Sequence, residues 1–171
     1  MAETAVLIPV PEAAPHVDGY RSRFTPAHVV GLPPHVTLLY PFVDSAELTT
    51  GVLREVERVV ADADRFEVTF RSVARLEGRP PTLYLVPEPA APFAELTRAL
   101  VAAFPAYPPY GGRYEEIVPH LTVATAEAET LAPVAAAVGA SLPLAAPVVE
   151  AWLMECDARG RWHLRRRLPL G

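Results

Sequence analysis

Residues 34–42 read PHVTLLYPF and residues 119–124 read PHLTVA. The two stretches share one pattern, Pro34-His35-Val36-Thr37-Leu38 and Pro119-His120-Leu121-Thr122-Val123, set 85 residues apart. Both are rich in β-branched and apolar residues, which predicts strands. In a strand, residues i and i+2 share a face, roughly 6.5 Å apart. His35 and Thr37 therefore point one way, while Val36 and Leu38 point into a core. His120 and Thr122 do the same against Leu121 and Val123. Proline suits the first position of a strand, where its missing N–H does little harm. Threonine fills 11 of 171 positions and proline 20, with five histidines. From that composition, two such tetrads arise by chance on the order of once in a thousand sequences.

Working outward, residues 4–10 (TAVLIPV) read as a buried strand. Residues 14–24 place Val17, Tyr20 and Phe24 at helical spacing. Ser45 is placed to cap a helix over 46–62 with Val52, Val56 and Val59 on its apolar stripe. Residues 66–73 alternate as a strand, 78–81 turn, and 82–86 (TLYLV) form the next strand. Helices follow over 92–104 and 127–138, separated by the proline- and glycine-rich loop 105–113 and the strand at 118–124. A hairpin is expected from 147–156 and 161–168 around the turn at 157–160. Strand–helix–strand order occurs roughly twice, without the regular alternation of a doubly wound parallel sheet. The expected fold class is α+β with largely antiparallel sheets, and residues 1–171 read as one unit.

Composition narrows the function. The net charge of −5 argues against a protein that coats long nucleic acid, yet leaves room for a small anion in a locally positive pocket. All fifteen basic residues are arginine, so no lysine nucleophile, Schiff base or phosphate-loop lysine is available. Cys156 is the only cysteine, which excludes an internal disulfide and a cysteine-rich metal site. The first residues, MAETAVLIPVPE, lack the basic start of a signal peptide. Residues 130–149 are uncharged, but Pro133, Gly139, Pro143 and Pro147 break them as a membrane span. A cytoplasmic protein, a monomer with no membrane partner, is expected.

Two His-x-Thr strands brought together supply two imidazoles and two hydroxyls. Hydrolysis of a cyclic phosphodiester uses that set. One neutral histidine takes a proton from water and the other, protonated, gives one to the departing ribose oxygen. Imidazole suits both because it titrates near neutrality. The threonines donate to the non-bridging phosphate oxygens. Threonine is a poor zinc ligand, and His-x-Thr lacks the further nitrogen or carboxylate of the usual sets. No metal and no other cofactor is expected. His16, His28 and His163 fit no repeat and read as surface or structural residues.

On His35-Val36-Thr37-Leu38-Leu39-Tyr40-Pro41-Phe42 and Pro119-His120-Leu121-Thr122-Val123-Ala124 the chain resembles the 2H phosphoesterase superfamily. That group contains the 2′-5′ RNA ligase-like proteins and cyclic nucleotide phosphodiesterases. The opening segment Ala5 to Val10 and the loop Pro109-Tyr110-Gly111-Gly112 look like a bacterial branch of it. The resemblance implies a bilobal α+β fold of two pseudo-symmetric sheets with helices outside and a central cleft. One lobe carries both termini, the other the middle of the chain, and each supplies one His-x-Thr strand. It implies a phosphoesterase, a hydrolase acting on a 2′,3′-cyclic phosphate, a 1″,2″-cyclic phosphate or a 2′-5′ linkage in a nucleotide or short RNA end, as in RNA processing. It makes His35 and His120 the acid–base pair and Thr37 and Thr122 the phosphate binders. Which histidine is acid and which base stays open. Tyr84 is a candidate to stack on a base, and Tyr110 with Gly111 a candidate cleft-edge lid. Arg21, Arg23, Arg75, Arg113 and Arg166 are candidate cations for phosphate, Arg166 foremost because it is expected to share a strand face with Trp162, Leu164 and Leu168. RNA ligation of 2′-5′ ends and a non-catalytic nucleotide-binding module are the alternatives.

Overall fold

The structure, a computed structural model, describes residues 2–113 and 116–171. In chain order its elements are β1 (Thr4–Pro9), α1 (Ala14–Phe24), α2 (Pro26–Val29), β2 (His35–Leu39), α3 (Thr50–Ala61), β3 (Phe66–Leu76), β4 (Thr82–Glu88), α4 (Ala91–Ala103), β5 (Leu121–Thr125), α5 (Ala128–Ala140), β6 (Leu144–Val148), β7 (Glu150–Cys156) and β8 (Trp162–Pro169). The mixed α+β character and the antiparallel pairing expected from the sequence are both present.

Among the described residues the strands form one sheet of eight, in the order β6-β3-β4-β5-β2-β1-β7-β8. Two four-stranded halves meet in the middle, where β2 and β5 pair through Val36 and Leu121. The expected two sheets are thus joined at their motif strands. One half holds the start and end of the chain, and the other its middle. Six strand steps separate β6 from β7, which in a flat sheet is about 29 Å. Only Val149 lies between those strands in sequence, and two peptide steps reach at most about 7.6 Å. The sheet therefore has to curl until β6 and the start of β7 come close.

Val36, Leu38, Leu121 and Val123 all sit in one continuous apolar core with Val6, Leu83, Leu85 and Leu153. The helices cover this face in an exchanged pattern. Helix α1 follows β1 but packs chiefly on β5, and α4 follows β4 but packs on β2. Val17 of α1 and Phe93, Leu96 and Leu100 of α4 are buried there. The opposite face of the sheet carries the histidines and threonines.

Three local expectations change. The helix read as 46–62 is a 3-10 turn over Ser45–Glu47 followed by α3. Thr49, not Ser45, caps α3, accepting from the Val52 N–H at 3.3 Å. The Ser45 hydroxyl instead donates to Glu155. Strand β2 stops at Leu39 because Pro41 has no N–H to continue a ladder. The run 147–156 is not one hairpin arm: it divides at Val149, its first part pairing with β3 and its second with β1 and β8. No described helix is long and apolar enough to cross a membrane.

Candidate active site

Both motif strands alternate as the pattern requires. His35 and Thr37 are half-buried around a buried Val36, and His120 and Thr122 around a buried Leu121. Counting one residue outward from the antiparallel pair Val36–Leu121, His35 falls opposite Thr122 and Thr37 opposite His120. The four side chains thus gather at the centre of one face, each imidazole beside the other strand's hydroxyl.

The two rings are held alike. His35 Nδ1 lies 2.6 Å from the Pro33 carbonyl oxygen, and His120 Nδ1 lies 2.7 Å from that of Val118. A carbonyl only accepts, so Nδ1 carries the hydrogen in both rings. In the neutral ring Nε2 is then a bare acceptor, and in the cation it is a donor. Either state keeps the Nδ1 bond, so the proton can come and go at Nε2 without turning the ring. Burial drives the His35 pKa down to about 4; the nearby Arg21 charge and His120 add to this, and the Pro33 hydrogen bond opposes it. Burial also lowers His120, against its bond to Val118. Both rings are therefore neutral at pH 7, and an anion beside them favours protonating one.

The flanking residues break the symmetry. Tyr84 pairs with Thr122 across β4 and β5, as Leu7 pairs with Thr37 across β1 and β2. Tyr84 is 9% exposed and meets the His120 ring edge-on at 5.7 Å between centroids. It thus lies on the histidine face, packed against His120. On the other side, Arg21 is 2% exposed and donates to Asp18 at 2.8 Å, to the Leu32 carbonyl at 2.9 Å and to the Pro33 carbonyl at 3.0 Å. The Pro33 oxygen therefore accepts from Arg21 and His35 together. A cavity of about 560 Å³ opens beside it, lined by Arg21, Pro33 and Pro34.

Arg166 forms an ion pair with Glu57 on α3. The expectation that it shares a face with Trp162 and Leu164 is corrected by a bulge: Leu153 pairs with Arg166 but Met154 with Leu164, so Arg165 is skipped and the alternation reverses. Arg23, Arg75 and Arg113 are exposed. Tyr110 and the glycines after it have positive φ (53°, 66° and 76°), and the Tyr110 N–H donates to the Tyr40 carbonyl at 2.5 Å. That ties the loop beyond the far end of β2 from His35. The sequence pattern alone did not mark Arg21 as a structural contact, although its position four residues after Val17 and three after Asp18 puts it on the inner stripe of α1 beside an acid. His28, read as surface or structural, lies 3.6 Å from Asp18 on the cavity rim. His16 contacts Ser141 and His163 contacts Asp157. Among the described residues no three histidine, cysteine or acidic side chains gather as a metal site.

The curled antiparallel sheet with its helices is a LigT-like fold. The crystal structure of LigT from E. coli in apo form superposes with a TM-score of 0.61 at 19% identity, covering 98% of this chain and 96% of that one. The protein TT0787 of Thermus thermophilus gives 0.65 at 21% identity over 98% and 97%. The model of the 2′-5′ RNA ligase superfamily matches residues 9–160, and the chain belongs to that family. A curated relative, "Putative phosphoesterase GK0864" of Geobacillus kaustophilus (strain HTA426), is 25% identical over 119 residues, 69% of this chain. The match spans 65% of that relative's length.

Proposed function

We infer that the chain is a phosphoesterase that opens a cyclic phosphodiester, or cleaves a 2′-5′ phosphodiester, in a nucleotide or short RNA end. The observation that carries this is the matched pair of Nδ1-anchored imidazoles, each set beside the other strand's threonine. Water loses a proton to the neutral Nε2 of one histidine as its oxygen bonds to phosphorus. The bond from phosphorus to the ribose oxygen breaks, and that oxygen takes the proton from Nε2 of the other, protonated histidine. The product is a phosphomonoester, and proton exchange with water resets the pair. Thr37 and Thr122 donate to the non-bridging oxygens, where negative charge is held throughout. The two imidazoles serve both proton transfers and the two hydroxyls meet the charge on the non-bridging oxygens while the P–O bonds are exchanged, so the proposed reaction calls for no metal. The single shared core supports residues 1–171 acting as one bilobal unit, each half giving one motif strand.

A nucleotide substrate is supported by the fold's relatives: E. coli LigT has been crystallised with 3′-AMP, with NADP+ and with ATP. The test is a turnover screen of 2′,3′-cyclic nucleotides, ADP-ribose 1″,2″-cyclic phosphate and 2′-5′ dinucleotides, followed by phosphorus NMR. His35→Ala and His120→Ala should each lower the rate by about 10²–10⁴, with circular dichroism unchanged. Undiminished turnover in both variants defeats the two-histidine mechanism. Nucleotide binding without turnover across the panel would instead make the chain a binding module. The family match brings a second reading, joining of RNA 2′-5′ ends, in which a hydroxyl of a second RNA end replaces water as the nucleophile at the cyclic phosphate and the same two proton transfers serve it. Faster reaction with tRNA halves than with mononucleotides would favour it.

A further inference from the structure

We propose that Arg21 is a positioning residue for the reaction, fixing the Pro33 carbonyl oxygen that holds the His35 ring; this rests on the phosphoesterase reading above. The chain enters β2 through Leu32-Pro33-Pro34. The two prolines have no N–H. Apart from the Leu32 N–H, which donates to Ala27 at 3.0 Å, backbone hydrogen bonds can hold this segment only through its carbonyl oxygens. All three oxygens have a donor. Pro34 accepts from the Val10 N–H at 2.8 Å, while Leu32 and Pro33 both accept from Nη2 of Arg21, at 2.9 and 3.0 Å. One guanidinium nitrogen thus clamps two successive peptide groups. The second of them holds His35 Nδ1 at 2.6 Å. A shift of that oxygen turns the ring and carries Nε2 off the line of proton transfer.

Both hydrogens of Nη2 go to these carbonyls, so that nitrogen has none left for a phosphate. Arg21 is 2% exposed, and a guanidinium is costly to bury unless it is paired. Asp18, three residues earlier on α1, accepts from Nη1 at 2.8 Å. A buried ion pair contributes little net stability; what this one supplies is a fixed direction for the fork. The charges around the His35 ring are Arg21 on α1, with Asp18 and the His28 ring of α2 behind it, and His120 on β5. The other half of the sheet is built differently. Val118, whose oxygen holds His120 Nδ1, is 41% exposed. Among the described residues no arginine donates to that oxygen, and His120 is braced by the Tyr84 ring. The two imidazoles make like hydrogen bonds on unlike supports, so loss of Arg21 acts on His35 and leaves His120 in place.

The full chain is compared with its Arg21→Lys, Arg21→Met and Asp18→Ala variants at a temperature where circular dichroism shows each folded. Turnover of 2′,3′-cyclic AMP gives kcat and KM across pH, and nitrogen-15 NMR gives the tautomer of each imidazole. Lysine keeps the charge but lacks the planar fork that serves both carbonyls. Arg21→Lys and Arg21→Met should each lower kcat roughly ten- to a hundred-fold with KM little changed, the loss that follows from misplacing a reacting group by about 1 Å. Asp18→Ala removes one of the three bonds to the guanidinium and should have a smaller effect in the same direction. In both Arg21 variants the His35 nitrogens should show mixed tautomers while those of His120 stay as they were. Arg21→Met alone removes the charge, so it alone should move a limb of the pH–rate profile to higher pH. Folded variants that lose stability but keep the parent's kcat, pH profile and His35 tautomer would make Arg21 a purely structural residue and overturn its positioning role. Should Arg21→Met fail to fold, Arg21→Lys and Asp18→Ala decide by kcat and tautomer. If the parent chain turns over no cyclic phosphate, the phosphoesterase reading fails, and the His35 tautomer still decides whether Arg21 positions the ring.

Discussion

Arg21 and His35 meet at a single carbonyl oxygen, that of Pro33, and the pairing gives each a measurable signature. Unfolded, the His35 imidazole takes its proton near 6.5; folded, it refuses one until about 4. The unfolded chain therefore binds more protons in that window. His35 costs nothing above pH 6.5, and stability falls as acid is added, by up to about 1.4 kcal/mol per pH unit between the two values. Urea denaturation between pH 7 and 5 should show the slope, and His35→Gln should flatten it. Arg21→Met removes the donor from Asp18, Leu32 and Pro33 at once. A stranded buried acceptor costs about 1–3 kcal/mol, so the stability measured in urea should drop by at least that much. Imidazole NMR should show His35 titrating at higher pH in this variant, because a neighbouring positive charge is gone. The His-Thr pairs were legible in the sequence because they are repeated and obey the strand period. Arg21 was legible only as one of five candidate cations for phosphate and not as a buried structural contact, because an arginine near an apolar stripe usually runs its stem along it and keeps its charge in water. Arg166 misled because one skipped residue, Arg165, reverses the period-two pattern, and nothing in the local composition marks that bulge.

At the scale of elements, the α3 start shows how capping decides a boundary. Both Ser45 and Thr49 are suitable caps by residue type. Asp44 already serves the short turn by accepting from the Ala46 N–H at 3.0 Å, and the Ser45 hydroxyl is engaged with Glu155. Thr49 is then the residue that meets the first free N–H groups of α3. Thr49→Ala should cost about 1 kcal/mol, whereas Ser45→Ala should leave α3 intact; amide hydrogen exchange along residues 50–56 distinguishes them. Most elements were legible because their apolar periodicity is clean. The division at Val149 was not, since β6 and β7 together look like one long strand. What separates them is the curl of the sheet, which no local pattern encodes.

For the whole molecule, the exchange of helices binds the halves together. Helix α1 covers β5 and α4 covers β2, so neither half can bury its own motif strand when the other is unfolded. Equilibrium unfolding should therefore be one transition. Tryptophan fluorescence reports only the half containing β7 and β8, where Trp152 and Trp162 lie. Its midpoint in urea should coincide with that from far-ultraviolet circular dichroism, which senses both halves. Two separated midpoints would show lobes that fold alone.

The same crossing bears on ancestry. A chain half this long, with one strand–helix–strand unit and one His-x-Thr, would have an uncovered strand and a helix with nowhere of its own to lie. Two copies related by a twofold axis would solve both problems, each lending its helix to the other's strand in an isologous dimer. If the two motifs descend from one by duplication, their parent worked as such a swapped pair. Fusion of such a pair would free each copy to diverge, and the two halves do differ here, with Leu7 beside Thr37 and Tyr84 beside Thr122.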